Sequence, residues 1–126
     1  MAYFAKMQSN TVVDLIVIND NDTKNSDGDI TESVGIAFCK NLFGSDTTWL
    51  LASKDGSVRK NGASKGMIYD SSLDAFRSTQ PYASWTLNSD AEWVAPLTYP
   101  SDGNFYEWSE SNYQANNSTG WVLINP

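Results

Sequence analysis

YFAKMQSNTVVDLIVIND, residues 3–20, divides into two apolar runs around Gln8-Ser9-Asn10. Val12, Val13, Ile16, Val17 and Ile18 are β-branched, a side-chain type that loses rotamer freedom in a helix and packs well on a pleated surface. Gln8-Ser9-Asn10 supplies the turn between the runs. The stretch therefore predicts a β-hairpin. Its second arm is apolar with little interruption, which predicts a central strand covered on both faces.

What covers that strand must lie downstream. Residues 20–29, DNDTKNSDGD, are polar, with a turn at Asp27-Gly28. TESVGIAFCKNLFG (31–44) then predicts a short helix near 33–43. Thr31 or Ser33 can cap its start and Gly44 ends it. Val34, Phe38 and Leu42 form an i, i+4, i+8 stripe, with Cys39 and Phe43 alongside. Gly35 opposes a helix by about 1 kcal/mol relative to alanine, but the periodicity prevails. TTWLLAS, KDGS and VRKN predict a second hairpin, with Asp55-Gly56 in its turn. NGASKG (61–66) reads as a flexible connector.

From residue 67 the chain changes style. MIYDSSLDAFRS places Tyr69 and Phe76 on either side of Ser71–Asp74. SWTLNSDAEWVAP (84–96) places Trp85 and Trp93 on either side of Asn88–Asp90, and FYEWSESNYQANNSTGWVLI places Trp108 and Trp121 around a longer polar loop. Pro81, Pro96 and Pro100 punctuate these units. Trp85, Leu87, Ala91, Trp93 and Ala95 share one parity, so they face one way on paired strands. A three-residue turn sets Trp85 opposite Trp93, a cross-strand pair worth roughly 0.2–1 kcal/mol. The rings read as hairpin pillars in preference to a sugar platform. The predicted fold is α+β, mostly β: a small antiparallel sheet with one covering helix, followed by aromatic β-hairpins. The sheet uses roughly residues 2–18 and 47–78, in a compact domain 1–78, and residues 79–126 form the hairpin arm.

The 126 residues suffice for one domain with an appendage. The net charge of −7 argues against a nucleic-acid partner, because displacing counterions from phosphates needs a basic face. Residues 67–126 carry seven acidic side chains against the single Arg77, and eleven of the sixteen aromatics. Their partners should be neutral or cationic. No apolar run approaches the roughly 20 residues that span a bilayer, and MAYFAKMQSN lacks the pattern of a secretory signal. No membrane partner is expected.

Candidate chemistry is sparse. The chain has no histidine, which removes the commonest general base and imidazole metal ligands. The lone Cys39 lies on an apolar stripe and reads as a core residue. Fifteen acids offer many carboxylate pairs for glycoside hydrolysis, but nothing selects one. Aligning Gly28 with a calcium-loop glycine puts Thr23, Asn25 and Asp27 at ligand positions, but Val34 stands where the bidentate glutamate belongs. An irregular calcium site at residues 20–32 stays open. No catalytic residue, cofactor or resident metal is assigned. Lys54, Arg59, Lys60 and Lys65 form the only basic cluster, either a solvated rim or a dock for an acidic neighbour. Trp108, Tyr113 and Trp121 stand beside an Asn-rich loop, where rings could stack on sugars and amides could bind hydroxyls.

The order of YFAKM, VVDLIVIND, VGIAFCKNLFG, TTW, DGSVRKN, MIYD, LDAF, a proline-linked SW and YPSDGNFYEW resembles a family of small proteins encoded by tailed phages of marine cyanobacteria. The resemblance covers nearly the whole chain. Its most specific pieces are VGIAFCKNLFG, the RKN of Arg59-Lys60-Asn61, and the Tyr69 and Phe76 pair. It implies a virion-associated or tail-fibre-like structural role and no enzymatic one. The chain departs from the family at Gly62, where an aromatic is common, and in the long loop SNYQANNSTG around Tyr113. The expectation is a virion structural protein on the particle exterior, a capsid decoration or a tail or fibre accessory. It would assemble in the host cytoplasm, as an oligomer or in a large assembly, by contact with other phage structural proteins. The alternative is a carbohydrate-binding module for host surface glycans.

Overall fold

The opening hairpin forms as predicted. β1 (Ala2–Gln8) and β2 (Thr11–Ile18) pair antiparallel from Ala2↔Ile18 to Gln8↔Thr11. Ser9 takes a left-handed φ of 55° in the connecting turn, as tight hairpins require. A bulge between Lys6 and Met7 leaves Val13 without an opposite residue. The computed structural model describes residues 1–124, and the chain divides into two compact units. The first holds Met1–Thr79 together with Ser89–Glu92, and the second holds Gln80–Asn88 and the chain from Trp93 on.

In the first unit, α1 (Glu32–Phe43), β3 (Thr48–Ala52), β4 (Ile68–Asp70) and β5 (Ala75–Arg77) follow the hairpin. The strands make one antiparallel sheet in the order β3-β1-β2-β4-β5. The fold is α+β and mostly β. Its doubly covered strand is β1, whereas the sequence pointed to β2. The neighbours Phe4 and Ala5 are both fully buried, one on each face. Phe4 packs with Ile18, Cys39 and Trp49, while Ala5 packs with Met7, Val12 and Phe76. β2 meets β4 only at Thr11↔Ile68. β2 is the middle strand of the five, as its β-branched run predicts, but much of it stays exposed or half-buried, so it is not covered on both faces.

Thr31 Oγ1 accepts the Val34 N–H and caps α1, and Gly44 ends it at φ 120° with its N–H on Lys40 O. The buried stripe is Gly35 and Cys39, flanked by Ile36 and Phe38, with Leu42 and Phe43 exposed. The expected Val34–Phe38–Leu42 stripe is thus rotated, and Gly35 is the reason. A Cβ at Gly35 would lie 2.0 Å from Phe4 Cζ, so the helix rests its bare backbone on that ring. Gly35→Ala is expected to destabilise the protein by about 1–3 kcal/mol through overpacking, despite its better helix propensity. Urea unfolding measures this, and a stabilised variant would refute the Phe4 contact.

The second predicted hairpin, across KDGS, does not form. After Ala52 the chain leaves the sheet, and Lys60 returns to make one parallel bridge with Ala75. VRKN offers a strand little to bury: Val58 is exposed, the Arg59 side chain is engaged by Glu32, and the Asn61 side chain by Phe76 O.

The second unit contains two short ribbons, β6 (Thr86–Leu87) with β7 (Trp93–Val94) and β8 (Tyr106–Trp108) with β9 (Trp121–Leu123). Helix α2 (Glu110–Ala115) occupies the predicted polar loop. Leu87, not Trp85, stands opposite Trp93. The turn is longer than three residues because Ala91 adopts φ 60° and is buried. The directly opposed tryptophans are Trp108 and Trp121.

Candidate functional site

The largest polar constellation in the first unit centres on Arg59. Its Nη1 donates to Glu32 Oε2 at 2.6 Å and to Leu51 O at 2.6 Å, and its Nε donates to Asp74 Oδ1 at 3.0 Å. The guanidinium lies 5.5 Å from the Tyr69 ring centroid, and Tyr69 Oη donates to Asp74 Oδ1 at 2.6 Å. Glu32, in the first turn of α1, also accepts the Leu51 N–H at 2.7 Å. Both outward backbone groups of Leu51 on edge strand β3 are therefore taken by one ion pair. Burial is the largest single influence and works against the Arg59 charge, but Glu32, Tyr69 and Asp74 together outweigh it and raise the pKa. The Tyr69 hydroxyl holds the Asp74 carboxyl below the usual carboxylate range, with Arg59 adding to the effect, and the same bond raises the Tyr69 pKa.

The next two residues treat the opposite edge of the sheet in the same way. Phe76 N–H donates to Lys60 O at 3.0 Å, and Asn61 Nδ2 donates to Phe76 O at 3.0 Å. Asn61 Nδ2 also reaches the carbonyls of Asp90 (2.9 Å) and Ala91 (3.1 Å), which holds the Ser89–Glu92 turn. Lys60 Nζ donates to Asp90 Oδ1 at 2.8 Å. Asn61 and Gly62 both have left-handed φ, 71° and 58°, and a Cβ at Gly62 would lie 2.6 Å from Ser53 O. Arg59-Lys60-Asn61 is thus a clasp on both edge strands, β3 and β5. Open strand edges invite pairing with other chains, and this tripeptide closes them.

In the second unit seven rings form one connected cluster. Trp85, Trp108 and Trp121 meet one another at centroid distances of 5.1–6.0 Å, all edge to face. Tyr82 joins at Trp85, Tyr113 at Trp108, Tyr99 at Trp121, and Tyr106 at Tyr99. Trp108 Nε1 donates to Glu110 Oε1 at 3.0 Å, and Trp121 Nε1 donates to Leu97 O at 2.9 Å. Glu110 also accepts from Ser84 Oγ and Gln114 Nε2, and these three donors, Ser84 foremost, lower its pKa. The Tyr106 hydroxyl likewise lowers the Asp102 pKa.

The four basic candidates do not form one rim. Arg59 has only 14% of its side chain exposed and faces inward, and Lys60 is bound to Asp90. Lys54 and Lys65 are exposed as the docking reading required, and Lys60 keeps 51% of its side chain exposed while bound to Asp90. Trp108 is 7% exposed, Tyr113 folds back on it, and Trp121 is half-buried between other rings. The aromatic candidates do come together, but as a core. Sequence reasoning missed Glu32, Asn61, Asp74 and Asp90, although Asn61-Gly62 carried a turn signal that would have flagged a left-handed pair. In the acidic loop, Asn25 Oδ1 accepts the N–H groups of Asp27 and Asp29, and no group of three potential metal ligands occurs among the described residues. No protein-family model matches the chain, and no curated protein or solved structure is significantly similar to it.

Five carboxyls, Asp55, Asp70, Asp74, Asp102 and Glu110, are held below their ordinary values, each chiefly by a side-chain hydrogen bond. A carboxyl whose folded pKa is depressed contributes stability above its unfolded pKa, and that contribution disappears as pH falls through the folded one. The urea midpoint should therefore be level near neutrality and fall below about pH 4, where unfolded carboxyls titrate. Asp74→Asn should flatten that fall. A midpoint that rises on acidification would contradict these assignments.

Proposed function

We propose that this is a phage virion structural protein on the particle exterior, a capsid decoration or a tail or fibre accessory, working by protein–protein contact and not by catalysis. One observation carries the reading: the chemistry-bearing side chains are spent on the fold. Arg59, Lys60 and Asn61 clasp the sheet edges, and seven rings fill the second unit. What is left outside is a surface of exposed apolar side chains, acids and scattered lysines. The resemblance to the cyanobacterial phage family supplies the setting, in which many copies on one particle let weak contacts add. Mass spectrometry of purified particles should find the protein in stoichiometric amounts, and its absence would falsify the reading.

A host glycan is the second reading. It is favoured by a groove of about 440 Å³ where Trp85, Trp121 and Tyr99 meet Pro96 and Thr98. Host polysaccharide should then shield tryptophan fluorescence from iodide. Unchanged quenching at saturating polysaccharide would remove this reading.

A further inference from the structure

We infer that the protein associates with a second copy of itself head to tail, Phe105 of one copy entering an apolar groove in the first unit of the next. This goes beyond the virion reading and needs no particle. Phe105 is 75% exposed, on a ribbon whose other face is packed. The Ile124 N–H donates to Phe105 O at 2.8 Å, which extends the β8–β9 pairing by one step. Side chains alternate along paired strands, so Phe105 and Glu107 share the outward face with Val122 and Ile124. The inward face carries the opposed Trp108 and Trp121. Exposed apolar faces with a polar margin mark contact surfaces. Glu107 is the charge on this one, and the second unit contains neither lysine nor arginine.

A complementary surface lies in the same chain. In the first unit, Tyr3, Ile30, Leu51 and Val58 line a groove of about 380 Å³, with Lys54 and Asp55 also on its lining. Ile30 and Val58 are exposed there. A cavity of about 150 Å³ already admits benzene, so a phenyl ring has room. The Asp55 carboxylate turns back onto the Ser57 N–H, and Lys54 has no ion-pair partner among the described residues, so its ammonium can meet the incoming Glu107. Knob and groove are different surfaces, so the contact is heterologous. Copies joined this way close into a ring or run on as a filament.

Sedimentation velocity of the full chain across a concentration series tests this. The mass should rise above the 13.9 kDa of one chain. Phe105→Ser should weaken association by roughly tenfold or more, since a central apolar anchor dominates such contacts, with the circular dichroism spectrum unchanged. Glu107→Lys should weaken it at low salt, and adding Lys54→Glu should restore it. Mixing Phe105→Cys chains with Val58→Cys chains under oxidation should give a covalent pair. Cys39 will not compete, being fully buried with its thiol pushed up to about 11 by that burial. A monomer at every concentration would overturn the inference. So would Phe105→Cys chains linking to one another in preference to Val58→Cys chains. Neither result touches the particle measurement above, so the two proposals fail separately.

Discussion

Arg59→Ala is expected to destabilise the first unit by about 3 kcal/mol, the loss typical of removing one partner from a buried ion pair. The pair is mostly withdrawn from water, with Arg59 14% and Glu32 33% exposed. Truncation leaves the Glu32 carboxylate facing Leu51, frees the Leu51 carbonyl, and takes away one of the two donors to Asp74. Arg59→Lys keeps the charge but not the fork. An ammonium cannot serve Glu32, Leu51 O and Asp74 in their separate directions, so about half the loss should persist. Replacing both Glu32 and Arg59 by methionine should recover part of it, because no charge is then stranded. Recovery should stay incomplete, since the Leu51 N–H and C=O lose their partners. Urea unfolding by circular dichroism gives these values. A loss below about 1 kcal/mol for Arg59→Ala would place the pair among ordinary surface ion pairs and remove the clasp.

That clasp shows where sequence reading stops. Lys54, Arg59, Lys60 and Lys65 stand out as charge in a short span, and charge in a loop ordinarily means solvent. The partners of Arg59 and Lys60, namely Glu32, Asp74 and Asp90, are distant along the chain, and no local rule connects them. Features set within a few residues were legible: the Ser9 turn, the Thr31 cap, the Gly44 stop, and the Tyr69–Phe76 pair, whose rings lie 5.6 Å apart. Features set by approach between elements were not. Gly35 scores as a flaw in a helix until Phe4 is placed beneath it. Parity set Trp85 opposite Trp93, but Leu87 takes that place, because Ala91 turns left-handed with its carbonyl on the Asn61 amide and lengthens the turn. The hairpin count was likewise right in kind for the second unit and wrong for KDGS, where β3 already had its edge capped by Arg59 and Glu32.

Trp108→Ala should cost about 3–5 kcal/mol, the range for removing a buried large ring, and the cost should fall on the second unit. Trp108 is 7% exposed and touches Trp85, Tyr113 and Trp121. Gly120 is shaped to it: a Cβ there would lie 2.4 Å from the Trp108 ring, so the backbone of the facing chain lies against the indole. The Ser109 N–H donates to Gly120 O at 2.7 Å and fixes that approach. Two-stranded ribbons are marginal in water unless one face is covered. Here the ring cluster is the cover for β8–β9, and without Trp108 it loses its most buried ring and Tyr113 loses its ring contact. Hydrogen exchange should then show protection lost at Tyr106–Trp108 and Trp121–Leu123 while β1 and β2 keep theirs. Trp108→Phe retains a ring and gives up the Glu110 bond, so its cost should drop to about 1–2 kcal/mol. Equal loss of protection in β1 and β8 would mean that the two units unfold as one, and the ring cluster would then be a core for the entire chain.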